Sequence, residues 1–253
     1  MSEEIVFGIH AVKSLCESPN PRVREIIVQE ERKDQRVKAL WDLAKEKKIR
    51  IKRVNKQSFF RSIDLHKLGD STHQGVLAFC TQIEQFQESQ LDEVLGKAGK
   101  DPLVLVLDGV TDPHNLGACL RSADAAGVAC VIVPKDNSAQ LTSTALKVAC
   151  GAGENIPLFF VTNLARTLNE LKEKGFWLTG TAGEATTYLY DADLSGSRII
   201  VMGAEGDGMR RLTKETCDEL VKLPMHGSVS SLNVSVATGI CLFEVVRRRM
   251  KKA

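Results

Sequence analysis

From residue 102 onward, short apolar runs alternate with amphipathic stretches in a rhythm that few architectures can accept. The runs at 103–107, 130–133, 159–161, 177–180, 199–202 and 220–223 are mostly apolar along their whole length, as strands covered on two faces are. Between them, 116–126, 143–150, 164–174 and 213–219 carry helical spacing, and a last helix is expected over 232–250. Regular alternation of this kind predicts an α/β fold with a mostly parallel sheet and helices on both sides.

Residues 5–78 repeat the alternation on a smaller scale: a helix near 10–16, a β-like run at 25–29, a helix over 34–47 and a strand at 50–54. The rhythm lapses in the polar stretch that follows residue 80, and a short amphipathic piece closes on Gly-Lys-Ala-Gly-Lys-Asp. The reading is therefore a small N-terminal α/β domain at 1–78, a linker at 79–101 and a larger domain at 102–253. A chain of 253 residues with 43% hydrophobic content can bury one sizeable core or two modest ones.

Net charge is only +2, but the charges are unevenly placed. Between residues 45 and 61 stand eight bases, including Arg50, Lys52 and Arg53, against the single acid Glu46. Such a cluster is either a solvated helix end running into a strand or a phosphate-binding patch. Seven scattered cysteines without any C-x-x-C spacing fit a reducing, cytoplasmic setting. The acidic start and the lack of an apolar run of membrane length lead to the expectation of no secretion signal and no membrane span. No metal site is expected either.

Three polar islands follow β-like runs, where α/β chains build ligand crevices. In the first, Asp112-Pro113 forms a turn, Asn115 falls at a plausible helix cap and Arg121 lies within the following helix. The second, Gly203-Ala204-Glu205-Gly206-Asp207-Gly208, lacks the Lys-Ser/Thr ending of a P-loop and comes too late for a first-strand dinucleotide fingerprint. Its glycines let backbone approach a ligand, and Glu205 supplies a carboxylate there. The third, Ser230-Ser231-Leu232-Asn233-Val234-Ser235, opens the last helix, where small residues Ser235, Ala237 and Gly239 permit close packing. Each island alone has an ordinary structural role as turn, cap or packing surface.

Taken in order, Asp108-Gly109-Val110 with Asp112-Pro113, Asn115, Gly117 and Arg121-Ser122, then Val201 to Gly208, then Pro224-Met225 with Ser230 to Ala237, resemble the SpoU family of RNA 2′-O-methyltransferases. The resemblance covers about 103–250. Phe7-Gly8-Ile9-His10-Ala11-Val12 and Thr72-His73-Gln74-Gly75-Val76 look like the ends of the substrate-recognition domain in the ribosomal-RNA branch of that family. The resemblance implies a SPOUT-type catalytic domain with a trefoil knot, a homodimer, and methylation of a guanosine ribose in large-subunit (23S) rRNA.

It also implies S-adenosyl-L-methionine as cofactor, bound among Thr181, Gly183, Gly203, Leu223, Met225 and Leu232. Asn115, Arg121, Glu205, Ser231 and Asn233 become the expected catalytic group, and Arg50, Lys52 and Arg53 the expected RNA contacts. Two other functions stay open at this point: a tRNA guanosine 2′-O-methyltransferase of the same family, whose terminal style Arg247-Arg248-Arg249 faintly echoes, and a non-enzymatic RNA-binding or assembly protein with the same fold.

Overall fold

The computed structural model describes residues 3–17, 22–32, 34–65, 73–81 and 86–250; Thr72 and the polar stretch 82–85 lie outside them. The chain divides into two compact units, Met1–Glu84 and Gln85–Ala253.

The first unit runs β1 (Glu3–Phe7), α1 (Ile9–Glu17), β2 (Val23–Gln29), α2 (Gln35–Glu46), β3 (Arg50–Val54), α3 (Lys56–Leu65) and β4 (Val76–Thr81). Its sheet has the order β1-β4-β2-β3, antiparallel except for the β2/β3 pair. Val12, Leu40 and Ile26 fill one side, and Phe59 with Leu77 the other. Asp34 caps α2 by accepting from the amides of Arg36 and Val37. The glycine motifs meet where α1 begins: Gly8 N donates to Val76 O at 3.1 Å and Ile9 N to Gln74 Oε1 at 3.2 Å. Gly75 has φ +69°, and a Cβ there would stand 2.9 Å from Arg32 and Gln29 side-chain atoms, so that turn requires glycine. Strands β1 and β4 and helix α3 are additions to the sequence reading.

In the second unit a single 3₁₀ turn, Glu88–Gln90, leads into α4 (Leu91–Lys97). Leu91 and Leu95 of α4 are buried in the second unit's core. The segment read as linker, 79–101, thus contains the end of β4 and a helix packed on the following domain. Then come β5 (Leu103–Asp108), α5 (Pro113–Ala125), β6 (Cys130–Pro134), α6 (Ser143–Ala149), α7 (Ala152–Asn155), β7 (Leu158–Val161), α8 (Leu164–Glu173), β8 (Trp177–Thr181), β9 (Thr187–Tyr188), β10 (Arg198–Gly203), α9 (Arg211–Thr216), β11 (Glu219–Lys222) and α10 (Val234–Met250).

These seven strands form one parallel sheet in the order β7-β6-β5-β10-β8-β11-β9. Alternation in β5 assigns the two layers: Leu103, Leu105 and Leu107 enter the core beneath α5 and α10, Val104 and Val106 the core beneath α8. From β5 the chain first builds outward through β6 and β7, then returns to place β10 on the opposite side. The gap at the carboxyl ends of β5 and β10 is thus a topological switch point, where open parallel sheets bind ligands.

Most boundaries shift by a residue or more from the sequence reading, and two of the shifts bear on the site. Cys217 is extended and Asp218 Oδ2 accepts from Leu178 N at 2.8 Å, so α9 stops at Thr216 and β11 begins at Glu219. Helix α10 starts at Val234 because Asn233 Oδ1 accepts from Ser235 N at 3.0 Å and from Ser235 Oγ at 2.6 Å. Ser231, Leu232 and Asn233 therefore remain loop, free to serve a site.

The arginines ending α10 are engaged within the fold. Arg247 and Arg248 both bind Glu244, at 2.7–2.8 Å, while Arg248 also donates to Tyr190 O and Arg249 to Gly196 O. Glu244 is 6% exposed. The hydrogen bonds from Arg247, with those from Arg248 and the charge of both, pull its carboxyl down from 4.5 to about 2. A depressed folded-state value means stability that is present above the unfolded value and disappears as pH falls through the folded one. Thermal midpoints of the wild type should therefore fall between about pH 4.5 and 2, and Glu244→Gln should lower the neutral-pH midpoint and flatten that acid limb. Parallel curves for the two proteins would contradict the assignment.

Candidate active site

Four strand ends converge: Asp108 closes β5, Gly203 closes β10, Thr181 closes β8, and Leu223 follows β11. Around the last three opens a cavity of about 490 Å³ lined by Thr181, Gly183, Gly203, Glu205, Leu223, Met225, Ser231 and Leu232, among others. All six residues expected to bind cofactor therefore share one cavity, with two of the expected catalytic residues on its wall.

Asn115 and Asn233 join through Glu205. One oxygen, Glu205 Oε1, accepts from Asn115 Nδ2 at 3.3 Å, Asn233 Nδ2 at 2.5 Å and Val234 N at 3.2 Å. Asn233 Nδ2 is also 3.0 Å from Asn115 Oδ1. One residue of each polar island is thereby tied to the other two. Asn115 is not the cap of α5. That place belongs to Asp112, whose carboxylate accepts from His114 N at 2.9 Å with Pro113 in the first turn, and this leaves the Asn115 amide free to cross to Glu205.

Arg121 stands apart. It is exposed, farther along α5, and its Nη1 lies 3.5 Å from Cys150 Sγ. No hydrogen bond among the described residues links it to Asn115, Glu205, Ser231 or Asn233. Arg50, Lys52 and Arg53 belong to the first unit. Arg50 and Lys52 share one acid, Glu25, at 3.0 and 2.8 Å, and the Arg53 guanidinium lies 5.3 Å from the centre of the Trp41 ring.

Sequence reasoning missed the anchor beneath the second island. Asp108 is fully buried, and its two oxygens accept from Arg210 N at 2.9 Å and Arg210 Nε at 2.6 Å. A carboxylate ending an otherwise apolar strand was the available signal. Just above it, Ala204 and Gly208 exchange backbone hydrogen bonds of 3.0 and 3.1 Å, folding the island into a tight loop. That loop lies directly on Gly203, where a Cβ would come within 2.3 Å of the Gly208 and Met209 backbone.

The cavity suits a compact cofactor carrying positive charge. Its size is within the usual range for small-molecule sites. Its floor is glycine-rich strand ends with Met202, Val221, Leu223 and Leu232, while Glu184, Glu205 and Asp207 outnumber Lys214 and Lys222 on its wall. Lys214 is paired with Glu184. Backbone donors and acceptors at such strand ends can read a purine without charged side chains.

The profile of the SpoU rRNA Methylase family matches residues 102–243, and one described as RNA 2′-O ribose methyltransferase substrate binding matches 5–86. Along the whole chain, the sequence is 54% identical over 250 residues to the 23S rRNA (guanosine-2′-O-)-methyltransferase RlmB of Vibrio vulnificus, covering 99% of each. It is 54% identical over 251 residues to the protein of the same name from Haemophilus influenzae, again 99% of each. Among solved structures, the SpoU methyltransferase AviRb from Streptomyces viridochromogenes, in complex with the cofactor AdoMet, matches with a TM-score of 0.77 at 23% identity. That match covers 98% of this chain and 91% of that one, a likeness of fold.

The close approach at Gly203 makes a direct prediction. Gly203→Ala should force the 204–209 loop off the end of β10, costing about 1–3 kcal/mol of stability and abolishing calorimetric binding of S-adenosylmethionine. Gly183→Ala, where nothing lies within 4 Å of the new Cβ, should fold normally. Wild-type affinity in Gly203→Ala would show that the loop position does not govern the cavity.

Proposed function

The chain belongs to the SpoU rRNA methylase family, and on that premise we infer that it methylates the ribose 2′-oxygen of a guanosine in 23S rRNA, with S-adenosylmethionine as donor. The observation that carries the reading is the convergence of all three polar islands on Glu205, beside a cavity whose wall matches a cationic nucleoside cofactor.

When bound, S-adenosylmethionine supplies a methyl group on a positively charged sulfur. The chain must then align a ribose hydroxyl and dispose of its proton. Asn115, Glu205, Ser231 and Asn233 hold the ribose, and the rigid Glu205 junction sets their spacing. Arg121 grips the adjacent phosphate: it lies six residues, about 9 Å, beyond Asn115 along α5, and a planar guanidinium suits a phosphate on two donors. A guanidinium offers donors and no acceptor, so the hydroxyl proton passes to water or a substrate phosphate.

The N-terminal domain, about residues 1–78, selects the RNA, with Arg50, Lys52 and Arg53 on its β3 edge. Two cations sharing one carboxylate leave excess positive charge there. The catalytic domain carries the trefoil knot of its family, formed as the segment before α10 threads back beneath the strand-end loops. The protein works in the cytoplasm as a homodimer. Supporting the dimer, α10 exposes an apolar row, Val236, Phe243 and Met250, at intervals that share one helix face. Its small residues turn inward instead: Ala237 packs on the core and Gly239 faces Ser122 of α5. The tRNA alternative loses its one sequence trace, since Arg247, Arg248 and Arg249 are occupied within the fold.

Labelled S-adenosylmethionine incubated with 23S rRNA should leave label on one guanosine whose 3′ linkage resists alkali, and none on tRNA; the reverse preference would overturn the substrate assignment. Arg121→Lys should lower kcat at least about tenfold, the loss of one strong transition-state contact, with cofactor affinity unchanged, and near-normal turnover would contradict the phosphate grip. Arg50→Ala with Lys52→Ala should weaken rRNA binding and reduce the salt dependence of log K by about 1.4, or about 0.7 per lost phosphate contact. An unchanged slope would remove these residues from the interface.

A further inference from the structure

The open edge of the large sheet holds a pair of side chains that the reading above does not use. Tyr188 of β9 and Lys222 of β11 are register partners in the parallel edge pair. Lys222 Nζ lies 5.0 Å from the centre of the Tyr188 ring, and the ring is 43% exposed. Lys222 also lines the cofactor cavity, so the pair stands on its lip.

The two lysines on the cavity wall differ in their partners. Lys214 is paired with Glu184, while Lys222 has no ion pair among the described residues and rests on an aromatic face. An ammonium over a ring keeps its charge uncompensated and is held in place by the quadrupole. The backbone beside the ring is held as well: Leu189 N donates to Lys222 O at 2.9 Å, and Leu189 is fully buried. An exposed ring with a cation beside it is what unpaired nucleic acid binds, through base stacking and phosphate contact.

We propose that Tyr188 and Lys222 form a subsite for an RNA nucleotide flanking the one that is methylated, Tyr188 stacking on its base and Lys222 meeting its phosphate. The sheet order puts β9 three strands from β10, about 14 Å across, a span that an unstacked strand crosses in a few nucleotides. The cavity acids Glu184, Glu205 and Asp207 repel phosphate from the interior, and Lys222 receives it at the rim. The subsite rests on the RNA methyltransferase reading and adds a specificity-determining contact to it.

The test uses full-length protein, S-adenosylmethionine and a fluorescent 23S rRNA fragment, with variants Tyr188→Ala, Tyr188→Phe and Lys222→Gln, at one exposed and one half-buried position, neither of them in the core. Tyr188→Ala should weaken RNA binding, read by anisotropy, and raise KM for RNA about tenfold, the usual scale for one stacked base. Tyr188→Phe should restore both. Lys222→Gln should lower the salt slope by about 0.7, and kcat and calorimetric cofactor affinity should be unchanged in both Tyr188 variants, whose side chain lies outside the cavity lining. Loss of cofactor affinity at constant RNA affinity would assign the pair to the cofactor and overturn the proposal; wild-type RNA binding in both Tyr188→Ala and Lys222→Gln would do the same. Failure of the wild type to methylate the RNA would overturn the functional reading instead, since the anisotropy still reports the subsite by itself.

Discussion

A single carboxylate oxygen organises the catalytic half of this molecule. Glu205 Oε1 receives hydrogen bonds from α5, from the loop before α10 and from the first amide of α10, segments separated from it by 90, 28 and 29 residues. Hydrogen bonds to a charged acceptor contribute about 1.5–3 kcal/mol, and less at this exposed position. Their importance is geometric. With the 204–209 loop fixed from below by Asp108 and Arg210, and from the side by close contact with Gly203, the carboxylate becomes a fixed post on which the other two segments hang.

Much of the fold is legible in the sequence because its large sheet is parallel and buried on both faces. Every residue of β5, β6 and, up to Gly203, of β10 is buried, so these strands appear as apolar runs with charge only at an end, Asp108 in β5 and Arg198 in β10. The reading thins where that condition fails. Strand β1 begins with two glutamates and β4 joins an antiparallel sheet, and α3 starts from Asn55, whose carbonyl side chain accepts from Ser58 N rather than presenting a familiar capping box. At α9 and β11, one extended cysteine decides the boundary, which periodicity cannot register.

The candidate site was legible for a different reason. Individually, Asn115 reads as a cap and the glycine-rich island as a turn, and nothing in their spacing brings them together. Resemblance supplied the grouping, and the geometry gave the cap to Asp112 instead. Charge clusters taught the opposite lesson. The arginines at 247–249 look like a nucleic-acid tail yet spend their donors on Glu244 and on backbone carbonyls, whereas in the cluster at 45–61 Arg50 and Lys52 share the one acid Glu25. A basic run in sequence becomes informative only once its acidic neighbours in space are known.

That principle also orders the cavity. Moving from β10 toward the sheet edge, its wall passes from Glu205 and Asp207, through the Glu184–Lys214 pair, to Lys222 above Tyr188. A cationic donor and a polyanionic acceptor must enter one crevice without exchanging places. On the proposed function, a gradient of side-chain charge along adjacent strand ends would accomplish this sorting, with carboxylates favouring the sulfonium inside and the edge ammonium favouring phosphate outside. The parallel topology makes the gradient possible, because it brings the carboxyl ends of successive strands to the same side of the sheet, where each can contribute one charged residue in a fixed order.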